Sequence, residues 1–219
     1  DRPKKAKKVI VAGAGIAAVV VYALGSMGRG GSTPLKLTLA GVILTAFISS
    51  FTTAILIGDQ ETLDKIRFWT VGSLSGRDMA LFLQTAPYIL VGLIGAMLVS
   101  RQITTISLGD DVAKGLGQNT FKIRAATAVI VVLLSGGAVA LAGPIGFVGL
   151  IVPHFVRFLV GVDYRWIVPY SAVLGGLLVT VGDVGARVVI KPQELPVGAI
   201  MGVLGAPFFI WLARWKVKR

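Results

Sequence analysis

The sequence predicts an all-α fold, a polytopic bundle of seven transmembrane helices, and three observations lead there. Of 219 residues 55% are hydrophobic and only 15% charged, against about 25% charged in soluble domains, and the mean hydropathy is +0.83. The charges fall in short clusters and leave uncharged runs of the length a helix needs, about 20 residues, to cross ~30 Å of hydrocarbon. Small residues repeat every four positions within those runs, as on packing faces of membrane helices. This composition excludes a cytosolic enzyme, a disordered tail and a small secreted scaffold. With no cysteine, disulfide frameworks, thiolate metal sites and thiol nucleophiles are excluded as well. The net charge of +12 would suit nucleic acid, but loop lysines and arginines between membrane spans give the same sum, and no nucleic-acid partner is expected.

Residues 1–8 (DRPKKAKK) form a polar leader. No cleavage site follows the apolar stretch 9–25, so it does not read as a signal peptide, and the chain is expected to be the remainder of a longer protein. The uncharged runs 9–28, 37–58, 79–100, 166–182 and 195–213 are single spans. The run 125–156, broken only by His154, is too long for one. Gly143-Pro144 and Gly146 in its middle stop one helix and start the next. The expectation is a tight hairpin of helices over 122–142 and 145–161, with Arg157 snorkelling from the last turn. One transmembrane domain thus fills 9–213, with an outer loop at 59–78, a cytoplasmic segment at 102–121 and a basic tail at 214–219.

Lysine and arginine set the orientation. With the C-terminal RWKVKR inside, twelve basic residues face the cytoplasm and five lie outside, the leader apart, a positive-inside bias. The five basic residues of the leader lie on the outer side in this arrangement.

Gly198, Gly202 and Ala206 make a smooth helix face that admits close backbone approach, and Gly92/Ala96 and Gly182/Ala186 repeat the pattern. Packing within one bundle and a subunit interface both fit it. In the second span Thr38, Gly41, Thr45, Ser49 and Thr52 share one face. Their hydroxyls either bond back to backbone carbonyls and neighbours or wall a hydrated pathway. In the outer loop, Leu63, Ile66, Phe68 and Trp69 suit a short interfacial helix.

The cytoplasmic segment is the most informative on physical grounds. Asp110 and Asp111 occupy the first turn of a short helix, where the dipole favours anions, and Gly117 suits the left-handed residue past its end. Ala113 and Gly115 give its sides little bulk, so it reads either as a helix that docks in a partner's groove or as an ordinary surface helix. Asp183 and Arg187, four apart, predict an intrahelical ion pair, with Arg187 near enough to the surface to face a partner. His154 has no second His or Cys with which to share a metal and reads as a hydrogen-bonded packing residue. No GxxxxGK[ST] cradle occurs. Asp183 is the one carboxylate inside a span, which argues against a proton-coupled carrier. No Ser/His/Asp set supports a hydrolase.

Several blocks closely resemble signatures of one family. They are Gly143-Pro-Ile-Gly-Phe-Val-Gly-Leu-Ile-Val-Pro-His154 followed by Arg157, Asp183-Val-Gly-Ala-Arg187, Glu194-Leu-Pro-Val-Gly198 and Leu204-Gly-Ala-Pro-Phe-Phe-Ile-Trp211. Upstream, Leu39-Ala-Gly41, Trp69-Thr-Val-Gly-Ser-Leu74 and Leu108-Gly-Asp-Asp-Val-Ala-Lys-Gly-Leu-Gly117 follow the same order. The chain resembles the FecCD-type permeases of ABC importers for iron-siderophores, haem and cobalamin, from about residue 37 to 211. That resemblance implies a type II importer permease of ten spans, of which the seven here would be the fourth to tenth.

The resemblance also implies roles. Gly109, Asp110, Asp111, Ala113, Gly115 and Gly117 would form the helix that sits in a cleft of the ATPase subunit. Thr45, Ser49 and Thr52 would line the channel, and Ser32, Thr33, Pro34 and Leu35 the inner constriction, although Pro34 and Leu35 depart from the polar residues expected there. Arg187 would meet an acidic residue of an extracytoplasmic binding protein. The implied partners are a second permease subunit, two ATP-binding cassette ATPases, that binding protein and membrane lipid, in a bacterial cell membrane. No cofactor and no covalent chemistry are implied. The expected function is uptake of a ferric siderophore, or of haem or cobalamin. An ATP-independent carrier or channel and a membrane anchor are the competing readings.

Overall fold

The computed structural model describes residues 2–27, 34–58, 69–189 and 195–217. Among these the regular elements are helices: α1 (Arg2–Ser26), α2 (Pro34–Leu56), α3 (Met79–Ser107), α4 (Asp110–Gly115), α5 (Thr120–Ala142), α6 (Val148–Val160), α7 (Tyr164–Val189) and α8 (Val197–Val217). Four of them, α2, α3, α5 and α7, are long and apolar enough to cross a membrane. α1 takes up the leader from Arg2 onward. Residues 59–68, which hold most of the expected interfacial helix, and Ser32 and Thr33 of the expected constriction lie outside the described residues.

The chain divides into two compact units, Asp1–Arg67 and Phe68–Arg219. In the first, α1 packs on α2, and Gly25 lets Leu37 approach to where a Cβ would stand 2.6 Å from its Cδ2. In the second, α3 packs on α5 and α7, α6 on α7 and α8, and α7 on α8. Each of the long helices turns large apolar side chains outward, with Phe47 64%, Leu98 72% and Val173 71% exposed. Aqueous solvent does not support so much apolar surface on a monomer, and lipid does.

Small residues hold α3 against α5. A Cβ on Gly92 would lie 2.9 Å from Leu134, and one on Gly137 2.8 Å from Ile89, while Ala96, Gly136 and Ala140 are buried in the same seam. The close approach expected at Gly92/Ala96 is therefore real. Gly182 and the buried Ala186 make the same seam on α7, where Met201 and Val197 of α8 pack over Gly182. Of the Gly198/Gly202/Ala206 face only Gly198 is a contact. Gly202 has open space beside it and Ala206 is exposed.

The expected hairpin forms, with one correction. α5 ends at Ala142, but α6 starts at Val148 rather than at 145 and is only 13 residues long, about 20 Å. Phe147 takes a left-handed φ of 65°, and Val148 N–H donates to Gly146 O at 2.8 Å, so the helix cannot begin earlier. The conformation is held by α8, where Gly205 leaves room for the Phe147 ring.

Candidate functional site

Three of the blocks that carried the resemblance meet at one end of the second unit. Gly72 (φ 79°) lies buried between Pro144 and Gly198: a Cβ there would stand 2.7 Å from Pro144 O, and its own carbonyl accepts from Gly198 N–H at 3.1 Å. Gly143 (φ 73°) faces it with equally little room, 2.6 Å from Trp69 O to a built Cβ, and Ser73 N–H donates to Ala142 O at 2.8 Å. The segment from Trp69 to Leu74 is thus threaded between the α5–α6 junction and the start of α8 by backbone contacts that only glycine permits. At the same end, Arg187 Nε donates to Asp183 Oδ2 at 2.9 Å, with the arginine side chain 47% exposed and the aspartate 17%. The expected i,i+4 pair forms, and Arg187 keeps part of its guanidinium accessible.

α4 projects from the opposite end, two residues beyond α3. Asp110 and Asp111 stand in its first turn and Lys114 in its last, charges of the sign the dipole favours. Gly117 (φ 77°) closes it with a Schellman motif: Gln118 N–H donates to Ala113 O at 3.0 Å and Gly117 N–H to Lys114 O at 2.9 Å. Arg124 of α5 reaches both oxygens of Asp110 at 2.8 Å, tying the helix to α5. With 43% and 40% exposure, that pair contributes about 1 kcal/mol or less.

One expectation about α4 is overturned. Ala113 is fully buried, because a helix of one and a half turns with no core of its own must pack a face on α3 and α5, and the smallest side chain takes that place. The outer face carries Val112 (48% exposed) and Leu116 (67%), with Leu108 (65%) exposed at the end of α3, and Gly109, Asp111, Lys114, Gly115 and Gly117 exposed around them. The accessible surface of α4 is therefore apolar and branched rather than bare.

Sequence reasoning missed a polar cluster that joins the last turn of α3 to the start of α7. Asp163 caps α7, its Oδ1 accepting from Arg165 N–H at 3.0 Å and its Oδ2 from Arg165 Nε at 3.1 Å. Thr104 of α3 donates to Asp163 Oδ1 at 3.2 Å and accepts from Tyr164 N–H at 3.0 Å. Arg157 of α6 donates to the Tyr164 hydroxyl at 2.7 Å and lies 5.5 Å over its ring. An aspartate in front of an apolar run is an N-cap signal that could have found half of this. The Arg165 backbone hydrogen bond first, then its guanidinium and the Thr104 hydroxyl, outweigh partial desolvation and hold Asp163 below the usual carboxylate range. A depressed folded value means the cap's contribution is complete above the unfolded value of about 3.9 and is lost as pH falls through the lower folded one. Slow hydrogen exchange at the Arg165 amide is therefore expected to persist down to about pH 4 and to vanish only below it. Asp163→Ala, which removes the acceptor, should speed it at neutral pH.

The remaining expected site residues are placed as follows. Thr45 and Thr52 bond back to Gly41 O and Ile48 O, each at 2.8 Å, and Ser49 O accepts from Thr53. All three lie exposed on α2, so the Thr45 and Thr52 hydroxyls are satisfied within the helix, and all three positions face outward. Leu35 is 70% exposed at the start of α2, which Pro34 opens. His154 packs edge-on to Phe158, ring centroids 6.5 Å apart, and among the described residues no group of three or more metal-ligating side chains occurs.

Residues 6–215 match the FecCD transport family. The chain belongs to that family. It is 48% identical over 206 residues to the iron(3+)-hydroxamate import system permease protein of Bacillus subtilis, covering 93% of this chain and 53% of the relative. A second Bacillus subtilis relative, named a probable siderophore transport system permease protein, is 47% identical over 206 residues, covering 94% of this chain and 62% of its own length. A structure described as an inward-facing conformation of a "putative metal-chelate type ABC transporter" superposes with a TM-score of 0.82 at 28% identity, over 94% of this chain and 65% of that one. This FecCD chain thus spans between about half and two thirds of the proteins it resembles.

Proposed function

We propose that the chain is the membrane-spanning part of an ATP-driven bacterial importer for a ferric siderophore, with haem or cobalamin as other cargo of the same class. Family membership over residues 6–215 carries the reading, and the two differently equipped ends of the second unit support it. α4 would seat in a cleft of a separate ATPase, with its Val112 and Leu116 face, and Leu108 before it, making the contact. Arg187 would steer an external binding protein, an exposed charge giving orientation and rate more than affinity. Thr45, Ser49 and Thr52 would wall the pathway, and Pro34 and Leu35, with Ser32 and Thr33, would stand at its inner mouth. The span count of seven, the cytoplasmic C-terminus and pairing with a second permease subunit belong to the same proposal. In that count, α6 and the non-helical residues 143–147 before it cross together.

The chain supplies no bond-making chemistry in this reading. It provides alternating access, driven by differential contact of the ATPase with two states of α4. Vesicles holding the chain, its partner permease and a candidate ATPase should take up a ferric hydroxamate only with ATP inside the cytoplasmic compartment. Uptake that persists without ATP would point to a secondary carrier, and none under any condition to an anchor.

A further inference from the structure

We infer that Thr104 is a positioning residue that locks the start of α7 to the last turn of α3, the helix from which α4 projects, so that a displacement of α4 passed to α3 reaches α7 as well. The inference rests on the reading of α4 as the docking helix. Two polar ties hold this end of the unit: Arg124 of α5 to Asp110 of α4, and Thr104 of α3 to Asp163 and Tyr164 at the start of α7. The second sits six residues before Asp110, in the last turn of α3.

The Thr104 hydroxyl serves both roles at once. It accepts from Tyr164 N–H at 3.0 Å, the first amide of α7, and donates to Asp163 Oδ1 at 3.2 Å or to Ser100 O at 3.1 Å. The first amides of a helix have no acceptor of their own. In α7 one is met by its own cap, Asp163, and another by a side chain of a different helix. The Tyr164 ring meanwhile packs on the buried Val152, Val156 and Ile167, and its hydroxyl holds Arg157. Side chains of α3, α6 and α7 therefore meet at this point.

Apolar seams let helices slide by small amounts at little cost, whereas a hydrogen bond weakens steeply with distance and angle. The hydroxyl thus fixes the height of α7 relative to α3. α7 is 26 residues long, about 39 Å, and its far end carries Asp183 and Arg187. Motion imposed at α4 is delivered through Thr104 to the end proposed to meet the binding protein.

The test uses the whole complex in vesicles and in detergent, comparing wild type with Thr104→Val and Thr104→Ser. The valine keeps the shape and removes both hydrogen bonds. Expected for it are roughly fivefold faster exchange of the Tyr164 amide and a fall of about threefold or more in cargo imported per ATP hydrolysed. Serine should restore both. The ratio is the deciding measurement, since a loss of folded protein lowers uptake and hydrolysis together and leaves it unchanged. An unchanged ratio in the valine variant overturns the inference whatever the exchange does, and so does a fallen ratio with unchanged exchange. A wild-type complex without ATP-driven uptake overturns the underlying reading and this inference with it, and is recognised before any substitution is made.

Discussion

Gly198→Ala is expected to destabilise the second unit by about 3 kcal/mol or more, enough to lose most folded chain at growth temperature. A Cβ at Gly198 would occupy the place of the Val71 carbonyl oxygen, with Val71 C at 2.9 Å and Gly72 O at 3.3 Å. The obstacle is backbone, so no side-chain rotation relieves it. Nor can that backbone retreat. Gly72 N–H is bonded to Trp69 O at 3.2 Å and Ser73 N–H to Ala142 O at 2.8 Å, and Gly72 lies against Pro144. α8 would have to move away, giving up the Gly198 N–H bond to Gly72 O and the packing of Val197 and Met201, both buried to within 1%. Gly202→Ala on the same helix is the control. It has no atom within 4 Å of a built Cβ, and alanine's better helix propensity should leave it as stable as wild type or slightly more so. Thermal unfolding in detergent with the monomeric fraction by gel filtration checks both. Equal melting of the two variants would mean that the glycine junction is not what holds α8.

The contrast between Gly198 and Gly202 also shows what the residues alone could convey. Four-residue spacing marks a face able to pack closely, but not which of its members meets a neighbour. At Gly92 and Ala96 the neighbour is α5 and the face is used. At Gly202 and Ala206 there is none in this unit. The break at Gly143-Pro144-Ile-Gly146 was legible because proline and glycine act locally. The restart at Val148 was not, because the left-handed Phe147 depends on a socket at Gly205, 58 positions along the chain. Long-range geometry hid Thr104 for the same reason: a threonine in an apolar helix carries no mark of an aspartate 59 residues later. Both termini of α4 were readable from charge and from Gly117. Its inward face was not, since low bulk suits a groove in a partner and a seam in the bundle equally well.

The burial of Ala113 decides where the docking proposal is best attacked. Ala113→Trp would insert an indole between α4, α3 and α5, where the alanine is fully enclosed, and would dislodge the helix whether or not any partner binds it. Leu116→Asp leaves that packing intact. Leu116 is 67% exposed and precedes the Gly117 turn, whose hydrogen bonds use backbone atoms only. The chain should therefore fold and insert at the wild-type level. A carboxylate pressed into an apolar contact is left desolvated and unpaired, a loss of about 2 kcal/mol or more and so of about thirtyfold or more in affinity for the ATPase. Val112→Asp, one helical turn earlier on the same face, should behave alike, whereas Arg124→Ala should cost about 1 kcal/mol or less and leave the complex assembled. The measurements are co-purification of the ATPase and ATP-driven uptake, normalised to permease in the membrane. Full assembly and uptake by Leu116→Asp and Val112→Asp would remove α4 from the interface and with it the proposed route of the driving force.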